Sequence, residues 1–168
     1  MGIFTGVDFQ RGYRLGGRKF RSLVFCAALF GTASQPVLAQ RYLQSGAVII
    51  QNDRGGLLSE RISRIQALRQ SGQTVRIKGR ICYSTCTLYL GLPKMCISPN
   101  TVFGFHGPSS FGQTLDPKTF NKASQTISKY YPAKLRKWYM ETARYNIRTL
   151  RKLRGSTIIK MGIPECQF

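Results

Sequence analysis

Short apolar runs alternate with amphipathic stretches along most of this chain. "GAVIIQND" is a brief apolar run closed by polar residues, the pattern of a buried strand. In "RGGLLSERISRIQALRQSGQ", Leu57, Leu58, Ile62, Ile65 and Leu68 recur at helical spacing, and Gly72 ends the pattern. "TVRIKG" predicts a second strand. The stretch after Ser84, "TCTLYLGL", is apolar enough for strand or helix, and the order strand, turn, apolar run, Pro93 favours a helix. "MCISP" and "TVFGFHGP" predict two short strands joined at Pro99-Asn100. From Asp116 onward the period becomes helical, through "DPKTFNKASQTISKYY" and then "PAKLRKWYMETARY", with Pro132 at a first-turn position. A last apolar piece, "STIIKMGIPEC", follows. Strands alternating with helices predict an α/β domain with a largely parallel sheet and a helical C-terminal part. At 168 residues, with no repeat or linker, there is room for one such domain.

The first 39 residues do not fit that alternation. Arg11, Arg14, Arg18, Lys19 and Arg21 precede the run "SLVFCAALFG", and Val37 and Ala39 then stand at the −3 and −1 positions of a signal-peptidase site. The run is shorter than the roughly 20 residues a membrane span needs. Cleavage after Ala39 is therefore expected, ahead of an uncleaved anchor, and Cys26 has no lipobox spacing before it. Export to the periplasm follows. In an oxidising compartment the remaining Cys82, Cys86, Cys96 and Cys166 predict two disulfides, and four cysteines allow three pairings. Cys-x3-Cys around a serine, with no second His or Cys pair, fits structural zinc poorly.

Charge adds a second theme. The full chain carries +20, and from Gln40 onward 21 Lys and Arg still face 5 Asp and Glu. Ten of those bases lie between Lys129 and Lys160, opposed only by Glu141. Such a surface is drawn to an anionic membrane or a wall polymer. No base-reading motif is visible, so no specific nucleic acid is expected. A solvated basic face that keeps a small exported protein soluble is the plainer reading.

The predicted layout gathers chemistry at one edge. Gly55-Gly56 follow the first strand, Ser84 the second, and His106, the only histidine, ends a later one. Ligands in open α/β folds bind along the carboxyl ends of the strands. A glycine pair before a helix lets the backbone turn sharply and present N–H groups to an oxyanion. A serine at a helix start is exposed beside a positive dipole end, and a histidine in reach can take its proton. For Ser84 alone, a small helix N-cap explains as much.

Taken together, three segments resemble Clp-type serine proteases of the Clp protease and crotonase superfamily, and in particular a set of small exported relatives. "QNDRGGLLSERISRIQ" resembles the family's strand, "PGG"-like turn and helix. "ICYSTCTLYLGL" resembles the segment in which the nucleophilic serine starts a helix of small residues. "LPKMCISPNTVFGFHGP" resembles the histidine segment. They come in the family's order and near its spacing over roughly residues 45–110. The resemblance implies Ser84 as nucleophile, His106 as general base, and the N–H groups of Gly56 and Thr85 as oxyanion hole. No metal or cofactor is implied. The family's orienting Asp falls at Asn146, counting back from "MGIP"; Asp116 and Glu141 are the other candidates for that role. The family also forms rings, which makes a homo-oligomer an expectation, and an exported protein would work without an ATP-driven partner.

Two readings stand. One is an exported serine hydrolase, a peptidase on peptide or protein substrates. The other is a catalytically inactive domain of the same fold that binds an anionic surface or a partner protein through its basic helices.

Overall fold

The structure is a computed structural model in which residues 46–167 are described. The expected signal segment and the site after Ala39 lie outside those residues. In chain order the elements are β1 (Val48–Ile50), α1 (Leu58–Ser71), β2 (Val75–Ile77), β3 (Ile81–Tyr83), a 3-10 helix (Ser84–Gly91), β4 (Met95–Ile97) and β5 (Val102–Phe105). Then come α2 (Pro117–Ser128), α3 (Ala133–Glu141), a 3-10 turn (Ala143–Tyr145), β6 (Arg151–Arg154) and α4 (Gly155–Lys160).

The fold is mixed α/β, with two small and mostly parallel sheets in place of the single sheet expected. Strands β1, β2 and β4 run parallel, with Val48 opposite Val75 and Val75 opposite Met95. The second sheet has the order β3-β5-β6, β3 parallel to β5 and β6 antiparallel. The split arises after β2. Lys78 and Gly79 donate to the Ile50 carbonyl at 3.0 and 3.3 Å, which turns the chain out of the first sheet. Ile81–Tyr83 then starts the second, so Ser84 follows the third strand and not the second. Asp53, just past β1, bridges to Cys82 and accepts the Tyr83 N–H at 2.9 Å, joining the two sheets at that point.

The C-terminal part is not all helix. Residues 151–154 pair with β5, Phe105 opposite Arg151 and Phe103 opposite Leu153. Three of the four residues in that strand are exposed cations, so their pattern looked like a solvated helix. Beyond α4 the chain lies along β4, with Ile97 N–H donating to Pro164 and Cys166 N–H to Ile97, both at 3.0 Å. The Cys96–Cys166 disulfide clamps this return. The other disulfide joins Cys82 to Cys86, so all four cysteines among the described residues are paired. No helix among the described residues is long and apolar enough to cross a membrane.

One apolar core runs between the sheets and helices, built on Ile65, Val75, Ile77, Leu88, Phe103 and Leu135. Phe105, the last residue of β5, meets Tyr131 and Trp138 edge-on, with centroids 5.6 and 5.2 Å away. Such pairs add about 0.5–1.5 kcal/mol each beyond area burial. They fix the strand end from which His106 emerges.

Candidate active site

Ser84 opens the 3-10 helix directly after β3 with φ of +55°, in the left-handed region that non-glycine residues avoid. The sharp turn exposes the side chain at the strand end, as the strand-to-helix turn of α/β-hydrolases does for its serine. Three features hold it there. The Cys82–Cys86 disulfide spans it, with both residues fully buried. Thr87 Oγ1 donates to the Ser84 carbonyl at 2.7 Å, and with its one proton spent it accepts from the Tyr131 hydroxyl, also at 2.7 Å. Burial, reinforced by nearby Tyr139, pushes the Tyr131 pKa well above its ordinary 10.0, so the phenol stays a donor. Finally, Gly55 at φ +99° packs so closely that a Cβ there would sit 2.6 Å from Ser84 Cβ.

His106 lies at the end of β5, with Nε2 2.7 Å from Ser84 Oγ. Its Nδ1 is 2.7 Å from the Gly107 carbonyl oxygen. A carbonyl only accepts, so Nδ1 carries the proton and Nε2 accepts from the Ser84 hydroxyl. This is the tautomer a general base requires. The main chain around the imidazole is tied on both sides. Tyr139 Oη donates to the His106 carbonyl at 3.4 Å, and Gly107 N–H donates to the Asn146 carbonyl at 2.8 Å. A Cβ on Gly107 would fall 1.8 Å from the Arg144 carbonyl oxygen, so only glycine fits.

The candidates for the orienting acid are placed elsewhere. Asn146 serves through its backbone carbonyl, while its side-chain amide donates to the Thr142 carbonyl at 3.3 Å. Asp116 caps α2, with Oδ1 accepting from the N–H groups of Lys118 and Thr119 at 3.0 Å. Hydrogen bonds from Thr119 hold its carboxyl below the usual range. Glu141 ends α3 on the exposed surface. The group that orients His106 is thus a peptide carbonyl, which has no side-chain signature. Gly107 was the nearest available signal.

The serine and histidine face a cleft of about 720 Å³. Its walls are largely apolar, formed by Leu57, Leu58, Ile62, Leu88, Ile127 and Tyr131. The helical stripe of α1 therefore divides. Ile65 and Leu68 enter the core, whereas Leu57, Leu58 and Ile62 line the cleft. Gly56 and Thr85 both line it beside Ser84, and the Thr85 hydroxyl donates to the Gly56 carbonyl at 3.3 Å. As second residue of its helix, Thr85 has an N–H without an intrahelical acceptor. The far wall is the loop after His106, closed by paired Ser110–Gln113 bonds of 3.0 and 2.9 Å, with Phe111 95% exposed at its tip.

Compared with known protein families and with curated proteins, the chain matches no family model and none of those proteins.

Proposed function

We propose that this protein is an exported serine hydrolase, a peptidase of the Clp protease and crotonase-like type, working through a Ser84–His106 dyad. The observation that carries the reading is the 2.7 Å contact from His106 Nε2 to Ser84 Oγ, with Nδ1–H turned to a carbonyl, at the edge of an apolar cleft. The turn, serine helix and histidine strand also stand in the order of the Clp-type segments that the sequence resembles. In the reaction, His106 takes the hydroxyl proton as Ser84 Oγ attacks a carbonyl carbon of the substrate. The tetrahedral oxyanion is held by the N–H groups of Gly56 and Thr85. The bond to the leaving amine breaks as His106 returns the proton to it, leaving an acyl-enzyme. Water then attacks with His106 as base, which frees the acid and restores Ser84.

The dyad has a carbonyl where the family has a carboxylate. A carbonyl dipole sets the tautomer but stabilises imidazolium far less than a full charge. Loss of the carboxylate costs on the order of 10⁴ in turnover in a Ser-His-Asp enzyme, so a slow hydrolase is the expectation. The experiment is fluorophosphonate labelling of the oxidised protein, read by intact mass beside Ser84→Ala and His106→Ala. One adduct on the wild type, absent from both variants, supports the reading. A folded, oxidised protein that takes no adduct sinks it.

A second reading has its own support. Lys134, Arg136 and Lys137 on α3 and Arg151, Lys152 and Arg154 on β6 are exposed cations, while Asp53–Arg61 is the one ion pair among the described residues. Such an excess of exposed cations suits an anionic membrane or partner protein, with or without catalysis. Binding to anionic vesicles should then weaken steeply as salt rises. Salt-independent binding counts against it.

A further inference from the structure

We infer that Asp53 and Arg61 are positioning residues that hold the Gly55-Gly56 turn against the serine helix, a step that rests on the hydrolase reading. Neither was singled out by the sequence patterns, and neither lines the cleft. Asp53 uses both carboxylate oxygens. Oδ1 accepts the Gly55 N–H at 2.8 Å, and Oδ2 pairs with Arg61 Nη2 at 2.7 Å. Arg61 reaches across from α1 with its other terminal nitrogen, Nη1, to donate to the Tyr89 hydroxyl on the serine helix. Both side chains are largely shielded, 11% exposed for Arg61 and 19% for Asp53.

The result is one polar strut linking three parts. The carboxylate fixes the first glycine of the turn, the guanidinium fixes the carboxylate, and the phenol ties the guanidinium to the helix that Ser84 begins. The main chain closes the frame, because the Asp53 carbonyl accepts from Tyr83, the residue before Ser84. An oxyanion hole built from one N–H on the turn and one on the helix works only if both keep fixed positions relative to Ser84 Oγ. With φ near +99° and +156°, Gly55 and Gly56 are poorly restrained by their own backbone. The strut supplies the missing restraint. Its charge also matters, since a carboxylate acceptor makes a stronger bond to the Gly55 N–H than a neutral group.

The test separates probe binding from the chemical step. Fluorophosphonate inactivation of the oxidised protein yields KI, set by the cleft, and kinact, set by attack and oxyanion stabilisation. Asp53→Ala is expected to lower kinact about tenfold or more, against the hundredfold or greater loss when an oxyanion donor is removed outright, with KI within about twofold. Asp53→Asn keeps an acceptor for the Gly55 N–H but loses the charge and turns an amide donor toward Arg61, so it should recover only part of that loss. Arg61→Met should lower kinact at least about threefold with KI unchanged. A purely structural role would lower the melting temperature and leave kinact alone well below the transition. Labelled wild type with unchanged kinact in folded Asp53→Ala overturns the inference by itself. If Asp53→Ala does not fold, Arg61→Met decides, and wild-type kinact in that variant overturns it. An unlabelled wild type overturns this inference together with the hydrolase reading.

Discussion

Breaking the Cys82–Cys86 disulfide should harm the site more than the fold, and breaking Cys96–Cys166 should do the reverse. The two bridges span sequence separations of 4 and 70 residues. On the chain-entropy account, the short ring restrains the unfolded chain by about 2 kcal/mol and the long one by about 4 kcal/mol. Their local settings differ in the opposite sense. The short ring encloses Ser84, whose left-handed backbone costs about 1–3 kcal/mol and persists only while its surroundings enforce it. Once the ring opens, release of about 1–2 kcal/mol lowers the population of the competent serine by about 5- to 30-fold. Cys82→Ala/Cys86→Ala should therefore lose about 5- to 30-fold in fluorophosphonate labelling rate while remaining folded at room temperature. Cys96→Ala/Cys166→Ala should shift the urea midpoint further and label at the wild-type rate wherever it is folded. Both variants need a urea melt and a labelling time course under the same buffer. Labelling of the Cys82/Cys86 variant at the wild-type rate would refute the reasoning, and would mean that the Thr87 bond and Gly55 packing hold Ser84 unaided.

Other expectations follow from single contacts. Gly107→Ala drives a Cβ to 1.8 Å from a carbonyl oxygen, so its loss in a thermal melt should exceed the roughly 1–3 kcal/mol of ordinary overpacking; a wild-type melt contradicts the geometry. Asn146→Asp should bring no gain in labelling rate or change in its pH profile, because that side chain faces the Thr142 carbonyl; a tenfold gain would show that the residue reaches His106. Burial raises the phenol pKa of Tyr131 and Tyr139 above the ordinary 10.0, although the charge of Arg144 partly opposes it at Tyr139. The folded state then keeps protons that the unfolded chain releases. Stability from these groups is complete below about pH 10 and falls as pH rises beyond it. Urea midpoints from pH 8 to 11 should show that decline, and Tyr139→Phe should flatten it; an unchanged slope would argue that the ring is not buried in the folded protein.

Much of the element order was legible because it rests on local pattern. The period of "LLSERISRIQAL" and the stop at Gly72 marked α1, and the turn at Pro99-Asn100 separated β4 from β5. The failures share a cause. Ile81–Tyr83 is too short to show alternation, and its separation from β2 depends on two N–H bonds to Ile50, far away in sequence. In β6 only Leu153 is even partly buried, so the strand is recognisable only from its pairing with β5.

The sequence by itself determined which groups could react. It placed one histidine 22 residues beyond a serine flanked by cysteines, set a glycine pair before a helix, and left four cysteines after residue 39. Those choices are chemical identities, and identity is local. Tertiary structure alone decided how the groups are held: the pairing of the four cysteines, the left-handed Ser84, the cleft face of α1, and the Asp53–Arg61–Tyr89 strut. It also handed the orienting of His106 to the Gly107 carbonyl. Every residue has a carbonyl, so no sequence pattern marks the one that a fold will aim at an imidazole.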